Sequence, residues 1–225
     1  MLETEQIDLW IDTGDFFPNR YWDYRRGSKD VEVPHQAKWF RWWKRLDERL
    51  MRAIQANPYP LKGILVVPGN HDYASLRVLL RLARDRYAPS LTIPIMEATH
   101  EANSISLGGR DWTFQGNSLI PRIPSHNPPW RGESSDAELA LSVDQMLEQA
   151  SSVDLLLTHA PMLGCLDLRS DAGVAAFHRL NARYHFHGHV HAAAGRMDLG
   201  GTEVFNGATK LTLLTLGGEN DATTS

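Results

Sequence analysis

Four short stretches place side chains able to bind a metal or move a proton directly after apolar runs. They are Gly14-Asp15, Gly69-Asn70-His71-Asp72, Thr158-His159 and Gly188-His189-Val190-His191. Carboxylate, carboxamide oxygen and imidazole nitrogen together make a mixed oxygen and nitrogen donor set, which suits borderline divalent ions such as Mn, Fe, Zn or Ni. An ordinary surface turn explains Gly69 and Asn70. It gives no reason for an imidazole and a carboxylate to follow at once. Each stretch closes a run that reads as a buried strand: "IDLWIDTGDFF", "LKGILVVPGNHD", "SVDLLLTHAPM" and "RYHFHGHVHAA". Strand ends on one edge of a sheet converge in space, and glycines there let backbones approach a ligand closely.

Hydrophobic spacing supplies the elements that must hold these ends together. Between Gln36 and Ala56, the residues Trp39, Trp43, Leu46, Leu50 and Ile54 form one helical stripe. Lys38, Arg41, Lys44, Arg45, Arg49 and Arg52 share that helix, but Asp47 and Glu48 interrupt them, so the charged side reads as a solvated face. A Leu-rich helix is predicted from Ser75 to Tyr87, and a capped one over "SSDAELALSVDQMLEQA". A further helix is expected near Ala172 to Asn181. "LTIPIMEA", "NSISLG", "RDWTFQGN", "TEVFNGA" and "KLTLLTLG" read as strands, and residues 121–132 as a Pro-rich loop. No repeat and no linker of shifted composition interrupts the chain, so one domain is expected over residues 1–217, with a flexible polar tail over 218–225.

Composition excludes several classes. With 225 residues, 42% of them hydrophobic, the chain is long enough for an ordinary globular core. A net charge of −4 gives no global pull toward nucleic acid or an anionic membrane. Cys165 is the single cysteine, so neither an internal disulfide nor a thiolate cluster can form. No apolar run approaches the roughly 20 residues of a membrane span. The acidic "MLETEQIDLW" lacks a signal-peptide pattern. A soluble, cytoplasmic protein is expected.

The order and spelling of GD, GNHD, TH and GHVH resembles the calcineurin-like metallophosphoesterases, from Asp15 to His191. The resemblance implies a layered α/β metallophosphoesterase fold, two packed mixed β-sheets flanked by helices. It also implies hydrolysis of a phosphate ester by a metal-bound hydroxide. Asp15 would bridge two metals; Asn70, His159 and His189 would complete one shell, and His191 would belong to the other. His71 would be the general acid that protonates the leaving oxygen. One or two divalent ions per chain and a small phosphoester substrate follow, with phosphodiesters slightly favoured over monoesters. Two other readings remain: a non-catalytic binding module on the same fold, and a metal-dependent nuclease. Nucleic acid is the less favoured partner, and oligomeric state is not legible.

The resemblance also implies an earlier strand ending in Asp-x-His. Met1 lies only 14 residues before Asp15, and no Asp-x-His occurs in that space. A start at an internal methionine or a fragment edge is the favoured expectation, ahead of a one-metal variant or a decayed scaffold. Many relatives carry Asp or Asn three residues after the GD aspartate to orient the acid histidine; here that position is Pro18, with Asn19 one place late. The 20–35 segment reads as an insertion in which Tyr21, Trp22, Tyr24, Arg25 and Arg26 offer stacking and anion contacts. His185 reads as a core or strand residue, as does Cys165. His35, His100, His126 and His178 have no partner pattern, although His126 in the Pro-rich loop could reach substrate.

Overall fold

Strand β1, Leu9–Asp12, pairs in parallel with β2, Gly63–Val66, which pairs in parallel with β3, Ile95–Glu97. Every residue of β2 is buried, as expected of a short strand covered on both faces. Its side chains alternate between two cores. Ile64 and Val66 point into a cluster with Leu50, Met51, Ile54, Leu80 and Ala83, while Leu65 points the other way, toward Phe114, Leu155, Leu157, Tyr184 and Phe186. The computed structural model describes residues 6–15, 48–59, 61–70, 72, 76–123, 132–167, 173–208, 214 and 216. Among these, β1 forms one edge of the three-stranded sheet.

The second sheet has six strands. In chain order they are β4 (Asn103–Leu107), β5 (Arg110–Asn117), β8 (Val153–Thr158), β9 (Ala182–His187), β10 (Gly195–Leu199) and β11 (Thr202–Asn206); across the sheet they run β10-β11-β9-β8-β5-β4. Strands β5, β8, β9 and β11 are mutually parallel, and β4 and β10 pair antiparallel at the two edges. Its inner face meets the first sheet so closely that a Cβ on Gly63 would lie 2.3 Å from Ile105 Cδ1. Two sheets therefore pack face to face around an aromatic and aliphatic core.

Helices cover both outer faces. The chain is helical over 48–56 (α1) and over Leu76–Tyr87 (α2), and these lie outside the first sheet. Helix α3, Asp136–Gln149, covers the second sheet with Leu139, Val143 and Met146. Its start is fixed as its sequence predicts: the Ser135 side chain accepts from Glu138 N–H, and the Glu138 carboxylate accepts from Ser135 N–H at 2.7 Å. The result is a mixed α/β sandwich of two sheets flanked by helices, as the sequence implied.

Two elements differ from the sequence reading. The helix expected near 172–181 is a single 3-10 turn, Ala175–Arg179. Val174 supplies no side-chain cap and is itself tied to Met162 in a β-bridge, and β9 begins only a few residues later. Strand β10 was not foreseen; it forms a hairpin with β11 through Gly200 and Gly201, both at positive φ. The segment read as a Pro-rich loop is closed at its ends by β6 (Ile120–Pro121), which pairs in parallel with β7 (Glu133–Ser134). The tryptophan-bearing part of the first helix, the 20–35 segment and most of "KLTLLTLG" lie outside the described residues. No described helix is long and apolar enough to cross a membrane.

Candidate metal centre

The ends of β1, β2, β8 and β9 deliver Asp15, Asn70, His159 and His189 to one place. His159 is fully buried at the centre of the group. Its Nε2 lies 3.0 Å from Asn70 Oδ1, 3.2 Å from His189 Nδ1 and 3.4 Å from Asp15 Oδ2. Asp15, His159 and His189 each offer a ligand atom within 4.8 Å of the others, the arrangement of a cation cage.

Glycines make this convergence possible. A Cβ on Gly14 would sit 2.3 Å from Gly69 N, and one on Gly69 would sit 2.3 Å from Asp15 N. Either would also lie 2.8 Å from the His159 ring. Asp72 then locks the two turns: its Oδ2 accepts from Gly69 N–H at 2.7 Å and from Asp15 N–H at 3.0 Å. Asp15 and His189 both hold left-handed backbone, with φ of 59° and 61°, although neither is glycine. Such conformations cost about 1–3 kcal/mol each and persist where surrounding contacts over-determine them. Here they aim two donors inward.

The donor chemistry is that of a site built for a cation. His159 Nδ1 lies 2.7 Å from the Thr13 carbonyl, so Nδ1 carries the donated proton. In a neutral ring Nε2 is then a lone pair facing two oxygen acceptors, a repulsive arrangement that a divalent ion relieves. Negative charge is crowded as well. Burial pushes the Asp12 carboxyl up to about 7, and the Asp72 charge adds to it. Burial also raises Asp72 to about 6 against its Gly69 hydrogen bond, with the Asp15 charge adding. For His159, burial opposes protonation, but the Asp15 carboxylate, the Thr13 carbonyl and the Asp72 charge together outweigh it and the imidazole rises above its ordinary value. Without an ion, a proton on Nε2 is the available positive charge. The residues fit a divalent metal.

Among the described residues, no other histidine or cysteine candidate joins this group. His191 opens the 3-10 turn His191–Ala193, is exposed, and is not part of the His159 group. His71 lies outside the described residues, as do His35 and His126. Cys165 is packed in the core beside α3. His100 Nε2 meets Ser142 Oγ at 2.8 Å, and His178 Nε2 meets the Leu163 carbonyl at 2.7 Å. His185 is a core histidine: its Nε2 lies 2.7 Å from Thr158 Oγ1, which itself donates to the Ala160 carbonyl. Sequence reasoning missed Asp12 and Thr13. Asp12 was signalled by the paired aspartates of "DTGD"; Thr13 acts through its carbonyl, which any residue carries.

His185 and His187 are both fully buried on the outer face of β9. Burial drives His185 well below the ordinary histidine value and His187 down to about 4. The unfolded chain then binds these protons more readily, so the stability is fully present above about pH 6.5 and lost as pH falls toward 4. A displacement from 6.5 to about 4 for His187 corresponds to roughly 3 kcal/mol. Urea unfolding of the chelator-treated protein at pH 7.5 and 4.5 checks this. His187→Asn should lose markedly less stability than wild type between the two; equal losses would contradict it.

The family model for calcineurin-like phosphoesterases matches residues 1–193, most of the chain. The chain belongs to the calcineurin-like phosphoesterase family, and its metal-suited His/Asp group agrees with that membership. No curated protein matches it closely.

Proposed function

We propose that the protein hydrolyses a small phosphate ester, a phosphodiester in preference to a monoester, at a divalent ion held by Asp15, Asn70, His159 and His189. The observation that carries this reading is the approach of Asn70 Oδ1 and Asp15 Oδ2 to the His159 Nε2 at 3.0 and 3.4 Å, with Nδ1 committed to Thr13. A positive charge at the centre makes that cluster favourable. A divalent ion supplies Lewis-acid stabilisation of charge on the phosphoryl oxygens and makes water acidic enough to act as nucleophile near neutral pH.

The chain's own groups do the rest. Thr13 fixes the His159 tautomer, Asp72 holds the Asp15 and Gly69 turns together, and His71 donates a proton to the departing alkoxide. His191 would belong to the shell of a second ion. Nucleic acid is not the favoured substrate: of the arginines on the described part of α1, Arg52 pairs with Glu48 at 2.9 Å across one exposed turn, as on a solvated helix.

Turnover of bis-(p-nitrophenyl) phosphate and p-nitrophenyl phosphate, before and after chelation, tests this. The chelated protein should lose activity, Mn²⁺ should restore it, and kcat/KM should be higher for the diester. Unchanged turnover in chelator would overturn the metal reading, and a higher kcat/KM for the monoester the diester preference.

A further inference from the structure

Asn206 ends β11, beyond the part of the chain that the family model matches. It is buried, and all its polar atoms are engaged with turns rather than with other side chains. Nδ2 donates to the Val190 carbonyl at 2.9 Å and to the Leu166 carbonyl at 3.3 Å, while Oδ1 accepts from Ala208 N–H at 2.9 Å. Val190 lies between His189 and His191. Leu166 lies in the loop that follows His159.

Two of the three described non-glycine residues at positive φ are gathered under this one amide. Leu166, at φ 52°, presents its own carbonyl to Nδ2, and His189, at φ 61°, precedes the residue that presents the other. Val190 N–H bonds back to the Gly188 carbonyl at 2.7 Å, so the Gly188–Val190 turn is held at both ends with His189 inside it. The turn is anchored further by Gly188 N–H to the His159 carbonyl at 3.1 Å, and by Gly207 N–H to the His187 carbonyl at 3.0 Å. A carboxamide is the side chain this position requires: it offers two donors to two carbonyls and an acceptor to an N–H. A carboxylate would set oxygen against both carbonyls, and a serine is too short to span them.

We infer that Asn206 is a positioning residue of the metal centre, acting through His189. It clamps the Val190 carbonyl, holds His189 in its left-handed conformation and so keeps Nδ1 3.2 Å from His159 Nε2. Outer partners of this kind are worth about 10–100-fold in metal affinity. The inference rests on the metal reading proposed above.

The test is Mn²⁺ titration of the intact protein by calorimetry, with circular dichroism as the check on folding. The variants are Asn206→Ser, the isosteric Asn206→Asp, His189→Ala and the Asn206→Ser/His189→Ala double. Each Asn206 variant should weaken Mn²⁺ binding by about 10–100-fold. The double variant should bind no more weakly than His189→Ala alone, because a residue that acts through His189 has nothing left to position. Folded Asn206 variants that bind Mn²⁺ like wild type, or losses that multiply in the double, would overturn the inference while leaving the metal centre standing. Unchanged binding in His189→Ala would instead overturn the metal reading, and this inference with it.

Discussion

Replacing His71 by alanine should leave metal content intact and slow hydrolysis of esters with alkyl leaving groups by about 10²–10⁴-fold, the usual worth of a positioned general acid. The reason lies in its neighbours in the chain. Asn70, before it, is buried against His159, and Asp72, after it, is buried and bonded to two backbone N–H groups of the site. One turn thus holds a donor atom of the metal group and its lock, with an imidazole between them in sequence. A departing alkoxide is a strong base and must take up a proton; a nitrophenolate leaves without much help. The His71→Ala loss should therefore be large for alkyl esters and small for nitrophenyl esters, measured as kcat on both at saturating Mn²⁺. An equal loss on both would mean that His71 binds the phosphoryl group rather than protonating the leaving oxygen.

Gly69→Ala should damage the centre without removing any donor atom. Its Cβ would lie 2.3 Å from both N and Oδ1 of Asp15 and 2.8 Å from His159 Cε1. None of these can yield cheaply: Asp15 N is backbone already bonded to Asp72, and His159 is fully buried. Overpacking of this kind costs about 1–3 kcal/mol, and the strain falls on the two turns that aim the donors. Mn²⁺ affinity should fall at least as far as the about 10–100-fold expected on losing a supporting contact. Gly14→Ala should be worse, since Gly14 also holds φ at 93°, a conformation that adds about 1–3 kcal/mol of strain for a side-chain-bearing residue. Urea midpoints and Mn²⁺ titrations of the two variants rank them. A Gly14→Ala protein as stable as Gly69→Ala, or either one binding Mn²⁺ like wild type, would contradict the packing described for these turns.

The strands that carry the site were legible because each is a short apolar run closed by a glycine-bearing turn or by Thr-His. The start of α3 was legible because Ser135 and Glu138 spell a reciprocal cap. Leu50 and Ile54 were correctly read as the buried stripe of α1. What escaped was structure set by tertiary pairing. The 3-10 turn at Ala175–Arg179 buries Phe177 against the second sheet, and its span is limited by the Met162–Val174 bridge, which no local pattern reveals. The β10–β11 hairpin had a signal in the Gly200-Gly201 pair, but "GRMDL" is too exposed to show an alternating apolar face. The donor set could be read from residue types. Its supports could not, because Thr13 works through a carbonyl, and the role of Asn206 emerges only when loops from β8 and β9 meet at the end of β11.

Asp15, Asn70, His159 and His189 should hold one divalent ion together, with His159 at the middle. Calorimetric titration of Mn²⁺ into chelated wild type and His159→Ala tests it most directly, with unfolding midpoints taken at each metal concentration. Wild type should bind at least one ion and gain stability with increasing Mn²⁺, since an ion that binds only the folded chain stabilises it by mass action. His159→Ala should lose that binding and the metal-dependent rise in midpoint together. Equal metal content and equal stabilisation in the two proteins would contradict the claim.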